Sequence, residues 1–153
     1  MIIRHATVCD VDAIAAVHVA SWDAAKEGLD LPTRRTIEVR RERWAAYLAA
    51  GEGTLQVADV AWILGFIAYG PSRDADRRGE AEIYTLYVAP EAWGKGVGSA
   101  LMEGVSRDTT VSLWVAERNV RAQAFYARHG FTPDGSREGG LHLPVVRLTR
   151  DGR

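Results

Sequence analysis

Two apolar residues, two polar ones and an alanine open the chain, where Ile2 to Ala6 predicts a short strand. Asp10 then stands where it can cap a helix beginning near Val11, and Ile14, Val17, Ser21 and Trp22 fall close to one face of that helix. His18 lies on or near the same stripe, where a histidine reads as a packed or surface residue rather than a ligand. Lys26 to Thr33, with Gly28 and Pro32, breaks the helical pattern, and Thr33 to Ala50 resumes it through Ile37, Trp44, Tyr47 and Leu48. The arginines at 34, 35, 40, 41 and 43 alternate with Glu38 and Glu42 and read most simply as a solvated helix surface, or else as the wall of a substrate cleft.

Gly51 and Gly53 end the second helix, after which Thr54 to Val60 and Trp62 to Tyr69 predict an antiparallel hairpin. Pro71 to Gly79 is charged and without periodicity, as expected of an exposed loop. Ile83 to Val88 is rich in β-branched and aromatic residues and reads as a buried strand closed by Pro90. Gly94, Gly96 and Gly98 follow, directly before a helical face of Ala100, Leu101, Met102 and Val105. Thr110 to Val115 is a further strand, and Asn119 can cap a helix whose Ala122, Phe125, Tyr126 and His129 share a face before Gly130 stops it. Phe131 to Thr132 and Leu141 to Thr149 are the last strands, separated by the turn-rich Pro133 to Gly140.

Strand, glycine turn and helix in immediate succession have a chemical use. The first amides of a helix lack intrahelical partners and carry the positive end of its dipole, while glycines admit positive φ and close approach of a ligand. An anion site over Trp93 to Ser99, suited to a pyrophosphate, follows; the alternative is a tight connection that only lets helix and sheet pack. The turn reads G-x-G-x-G, which is neither the P-loop G-x-x-x-x-G-K-[ST] nor the dinucleotide G-x-G-x-x-G.

Composition narrows the field. The chain has 153 residues, 47% of them hydrophobic and 25% charged, with a formal net charge of −1, which is the profile of one globular domain over 1–153. Such a balance gives no broad electrostatic footprint for nucleic acid. The single cysteine, Cys9, has no intramolecular partner and no obvious base, and no Cys/His cluster has metal spacing, so neither a disulfide, a covalent thiol step nor a bound metal is expected. No apolar run of about 18 residues is present, so no membrane insertion is expected and a cytoplasmic location fits.

A second block, Leu113 to Phe131, joins the glycine turn. The pair resembles the GNAT superfamily of acetyl-coenzyme A-dependent N-acetyltransferases. Its coenzyme motif, Gln/Arg-x-x-Gly-x-Gly/Ala, is met by Trp93-Gly94-Lys95-Gly96-Val97-Gly98, with Trp93 departing from the usual Gln or Arg. Its second block is matched by Val115, Asn119, Ala122, Tyr126, Gly130 and Phe131. The resemblance implies an α/β (or α+β) single-domain fold: a central mixed, mostly antiparallel sheet with two splayed parallel strands, Ala81 to Val88 and Thr110 to Val115, and helices on both faces.

It further implies acetyl-coenzyme A as cosubstrate, its diphosphate on Trp93, Gly94, Lys95, Gly96, Val97, Gly98 and Ser99. The pantetheine would lie against backbone of Tyr87 and Val88, with a polar contact from Asn119. Tyr126 matches the family's tyrosine near the coenzyme sulfur and is the candidate acid. Glu82 stands where some members carry a catalytic glutamate and is the candidate base, its burial expected to favour that role. The implied reaction is acetyl transfer to a primary amine of a small molecule or peptide in a ternary complex. Alternatives are a non-catalytic acyl-coenzyme A-binding or regulatory module and a plain α/β structural domain. Trp22, Asp23, Tyr47, Tyr84 and Pro133 to Gly140 are candidates to line the acceptor site, and a homodimer would fit the family's habit.

Overall fold

The computed structural model describes residues 1–26, 36–140 and 143–153. The expectations for Gly28, Pro32, Arg34, Arg35 and the start of the last strand at Leu141 lie outside the described residues. Seven strands form one sheet in the order β1-β2-β3-β4-β5-β7-β6: β1 Ile2–His5, β2 Thr54–Asp59, β3 Ile63–Pro71, β4 Ala81–Val88, β5 Val111–Ala116, β6 Thr132–Glu138 and β7 Val145–Arg150. The α-helices are α1 Val11–Lys26, α2 Ile37–Ala50, α3 Val97–Met102 and α4 Val120–Arg128. The sheet is mixed, with β4 and β5 parallel and the pairs β1/β2, β2/β3, β5/β7 and β6/β7 antiparallel, as the α/β expectation requires. No described helix is long and apolar enough to cross a membrane.

By its contacts the chain falls into two compact parts, Met1–Tyr69 with Thr85–Val105 and Gly70–Tyr84 with Ser106–Arg153. In the first part Val57, Phe66, Ile67, Ile14, Ala15 and Leu101 are fully buried. The α1 stripe buries Val11, Ile14, Val17, His18 and Ser21. Asp10 does not cap that helix; its carboxylate accepts from the Thr7 N–H at 2.8 Å and from Arg4, closing the short turn Val8–Asp10 instead. The Arg4 hydrogen bonds hold Asp10 down at about 2, against a smaller upward push from burial.

Helix α2 starts on Thr36, whose side chain accepts from the Val39 N–H, and stops on left-handed Gly51. Arg40 corrects the solvated-surface reading: it is 9% exposed and points inward, because it sits one turn before Trp44 on the same face. Helix α3 ends at Met102, one turn earlier than the apolar spacing suggested. Gly104 packs so tightly on Gln56 that a Cβ would clash with its Oε1, and the Tyr69 hydroxyl donates to the Gly104 carbonyl at 3.1 Å.

In the second part Val111, Leu113, Phe131 and Leu148 are buried, and β5 pairs with β7 from Val111↔Arg150 to Ala116↔Val145. The turn-rich Pro133 to Gly140 is largely strand: β6 pairs Thr132 and Pro133 with Thr149 and Leu148, then Arg137 and Glu138 with Val146 and Val145. Between these pairs Asp134 accepts from the Ser136 N–H and Gly135 adopts φ of +92°, a bulge that looks like a turn in sequence. Pro133 is tolerated because β6 is an edge strand.

Candidate active site

Strand β4 ends at Val88, where Ala89 donates to the Leu64 carbonyl of β3 at 2.7 Å. By strand alternation the Val88 N–H and C=O point the other way, away from β3. The Val88 carbonyl already accepts two bonds, from Ser21 Oγ and from Trp93 Nε1, each at 2.8 Å. The indole that replaces the usual Gln or Arg thus ties the glycine turn to the strand end. Gly65 lets β3 lie close here: a Cβ would sit 2.8 Å from the Tyr87 carbonyl. The Tyr87 ring lies 4.5 Å from His18 and 5.9 Å from Phe66.

Beyond a short turn, Pro90–Ala92, the chain passes Trp93 and enters Gly94 at φ +72° and Gly96 at φ +82°. Both are left-handed conformations that other residues resist, and a Cβ at either would meet nothing within 4 Å, so the backbone there borders open space. Gly96 caps α3, and Ala100 is the first residue to bond back, to the Gly96 carbonyl at 3.0 Å. The amides of Val97 and Gly98 precede that bond, at the helix entrance. Gly98 itself is helical, so it contributes slimness rather than a positive φ. Lys95 is exposed.

In the same part, His18 is buried beside Arg40, with Arg40 Nη1 at 2.6 Å from Nε2, and Trp44 Nε1 donates to its Nδ1 at 3.1 Å. Burial first, and the Arg40 charge second, push the imidazole down to about 3, so it is neutral at physiological pH.

In the second part, β4 and β5 pair through Ala81↔Val111, Glu82↔Ser112 and Ile83↔Leu113. Glu82 is 1% exposed. Its Oε1 accepts from the Arg73 N–H at 2.9 Å, and its Oε2 accepts from Arg73 Nη2 at 2.6 Å and Nε at 3.2 Å. The Arg73 guanidinium lies 4.3 Å over the Tyr84 ring, whose hydroxyl donates to the Pro71 carbonyl at 2.6 Å. Burial alone would lower Arg73, but the Glu82 hydrogen bonds win and raise it.

The loop carrying Arg73 is exposed or half-buried throughout, as its charge suggested, but ion pairs pin it in place. Buried Arg147 binds Asp74 at 3.0 Å, Asp76 at 2.6 Å and Asp134 at 2.6 Å, while Trp114 Nε1 donates to Asp74 at 2.9 Å. The Asp76 hydrogen bond is the main cause that raises Arg147. Burial pushes Asp134 up, yet the Ser136 N–H and the Arg147 and Arg77 side chains hold it well below the carboxylate range.

Asn119 caps α4 with its Oδ1 on the Ala122 N–H at 3.1 Å. Gln123, which the sequence pattern did not single out, donates Nε2 to the carbonyls of Ala116 and Glu117 and so fixes α4 to the end of β5. Tyr126 is buried on α4, its ring against Phe125 and Phe131, and its carbonyl accepts from the Phe131 N–H at 3.1 Å just past Gly130. Cys9 is exposed. Among the described residues no group of three or more His, Cys, Asp or Glu side chains is arranged to hold a metal ion.

Comparison with known proteins gives this arrangement a family. An uncharacterized N-acetyltransferase of Archaeoglobus fulgidus is 31% identical over 137 residues, covering 83% of this chain and 90% of the relative. The uncharacterized N-acetyltransferase YuaI of Bacillus subtilis is 24% identical over 98% of this chain and 90% of its own length. The PaiA N-acetyltransferase of Thermoplasma acidophilum, solved in complex with coenzyme A, shares the fold with a TM-score of 0.75 at 19% identity over 98% of both chains. The model of the acetyltransferase (GNAT) family matches residues 14–131, a span that holds the glycine turn, Glu82, Asn119 and Tyr126, and the chain belongs to that family.

Proposed function

We propose that this protein moves an acetyl group from acetyl-coenzyme A to a primary amine of a small molecule or peptide, by direct attack within a ternary complex. The family match over residues 14–131, with left-handed Gly94 and Gly96 inside it, carries the reading. The residues present suit the coenzyme: two glycines border open space where side chains would crowd a diphosphate, and Lys95 adds a cation beside them. When bound, acetyl-coenzyme A supplies a thioester carbonyl open to attack by an amine.

The chain's own groups then divide the work. Gly94 to Ser99 offers backbone to the diphosphate, while Trp93, whose N–H donates to the Pro90 carbonyl and whose indole N–H donates to Val88, braces the start of that turn. With the Val88 carbonyl saturated by two donors, the Val88 N–H is the group left to stabilise negative charge on the attacked carbonyl oxygen, next to a pantetheine aligned along Tyr87 and Val88. Asn119 uses its oxygen as the helix cap, so its carboxamide NH2 is the end that reaches the coenzyme. Glu82 accepts the amine's proton on a carboxylate lone pair that Arg73 leaves open, with the Arg73 contacts kept, and the Tyr126 phenol gives its proton to the departing thiolate.

Titration calorimetry with acetyl-coenzyme A, followed by a coenzyme A release assay over a panel of amines, tests the reading. Measurable binding and amine-dependent release are expected; absence of binding heat overturns it. Binding without release by any amine would instead favour a regulatory module. Tyr126→Phe and Glu82→Gln should each lower kcat by about 100-fold, the low end of general acid or base catalysis, with coenzyme affinity kept within a few-fold. A normal kcat in either variant removes that residue from its role.

A further inference from the structure

The Arg73 guanidinium has two hydrogen-bonding edges, and only one is used. Its Nε and Nη2 close on Glu82, whose side chain is 2% exposed, whereas the Arg73 side chain is 65% exposed. Nη1 has no hydrogen-bond partner among the described residues, so the edge formed by Nη1 and Nη2 faces solvent as a planar fork of the kind that takes a carboxylate with two parallel bonds.

This fork is fixed rather than floppy. The Glu82 carboxylate holds one edge, the Tyr84 ring supports one face at 4.3 Å, and the Arg73 N–H is itself bonded to Glu82. The neighbouring Asp74 and Asp76 are anchored on buried Arg147, and Ser72 donates its N–H to the Glu80 carbonyl at 3.0 Å, so both sides of Arg73 along the chain are tied down. A preorganised cation binds an anion without the ordering cost that an exposed arginine otherwise incurs.

The charge order matters as well. An ammonium group approaching Glu82 meets the exposed Arg73 charge before it meets the buried carboxylate, and like charges a few ångströms apart repel. A carboxylate beside the amine reverses that balance, since it can dock on the outer edge while its amine reaches toward Glu82. We propose that Arg73 reads a carboxylate on the acceptor, and that the acceptor class is an amine with a neighbouring carboxylate, as in a free α-amino acid. The proposal rests on the acetyltransferase reading above and names the substrate class of that same site.

The experiment compares the common α-amino acids with their C-terminal amides in the coenzyme A release assay, using wild type, Arg73→Gln and Arg73→Lys. Wild type should prefer acids over amides by about tenfold or more in kcat/KM, as expected for a charge-assisted bond to a buried or fixed partner. In Arg73→Gln that ratio should collapse to within about twofold, whatever fall both substrates share, and Arg73→Lys should restore part of it. Calorimetry with N-acetylated amino acids, the corresponding products, should show at least about tenfold weaker binding to Arg73→Gln. No acid preference in wild type, or the same preference in Arg73→Gln, overturns the assignment.

If acetyl-coenzyme A binds but no acid or amide turns over, and the N-acetylated acids bind both forms alike, the assignment fails while the coenzyme reading stands. If acetyl-coenzyme A does not bind, both fail. Melting temperature monitors folding of the variants; Arg73→Gln is expected to melt below wild type because it leaves the buried Glu82 carboxylate without its cation, Arg73→Lys less so, and all forms are compared at a temperature where each is folded.

Discussion

In the part built from Met1–Tyr69 and Thr85–Val105, interior polar groups meet mainly as neutral donors and acceptors, Arg40 and the Asp10–Arg4 pair apart. Ser21 and Trp93 share the Val88 carbonyl, and Trp44 donates to an uncharged His18. In the part built from Gly70–Tyr84 and Ser106–Arg153 the equivalent positions are ionic: Arg73 on Glu82, and Arg147 on three aspartates. Neutral bonds cost less to bury and hold backbone, which suits a cradle made of amides. Ionic bonds hold side chains whose charge a reaction can use, but they are costly when one partner goes missing.

The sharpest way to expose the difference is Arg147→Met. Asp74 and Asp134 are only 19% and 14% exposed, and would lose their shared cation. A loss of about 3–5 kcal/mol is expected in denaturant unfolding. A loss below about 1 kcal/mol would mean that the cluster behaves as a surface network.

The neutral part should betray itself in acid. His18 is lowered from 6.5 to about 3 in the fold, so between those values the unfolded chain takes up a proton that the native chain refuses. Its contribution is therefore intact above pH 6.5 and is lost as pH falls toward 3, at up to about 1.4 kcal/mol per pH unit. Urea melts at pH 6.5 and 5 should differ by roughly 2 kcal/mol on this account. In His18→Gln that difference should largely vanish; its survival would assign the acid sensitivity to other groups.

A smaller effect is expected from Trp93→Phe, which removes one of two donors to the Val88 carbonyl. About 1 kcal/mol of stability should go, together with a few-fold of acetyl-coenzyme A affinity measured by calorimetry. A double-mutant cycle with Ser21→Ala should give a coupling of about 0.5 kcal/mol or more, because both donors address one oxygen. Strict additivity would show that the two bonds act independently.

The sequence displayed the elements whose logic is local. Strand β4, the glycine turn and α3 follow one another without interruption, the β2/β3 hairpin is two apolar runs about a short turn, and Asn119 with Gly130 brackets α4. What stayed hidden depends on distant partners. Periodicity tells which residues share a face, but Arg40 counts as polar whether it meets water or His18. Nothing between Arg73 and Glu82 announces their pairing, and Arg147 gathers aspartates 73, 71 and 13 positions earlier in the chain. Gly65 and Gly104 carry no turn signature, because close packing rather than backbone angle demands them. Strand β6 was disguised by its own bulge, since Pro133, Asp134 and Gly135 are turn residues by composition.

That bulge reaches beyond topology. The two outermost strands of the sheet are β1, four residues long and carrying Arg4, and β6, whose ladder breaks after Pro133. A proline offers no amide, and a kinked rim cannot dock a foreign strand over a continuous stretch. Both rims are thereby poor templates for fibril growth, which safeguards a sheet whose interior strands are rich in valine and isoleucine while the chain is crowded among its own copies.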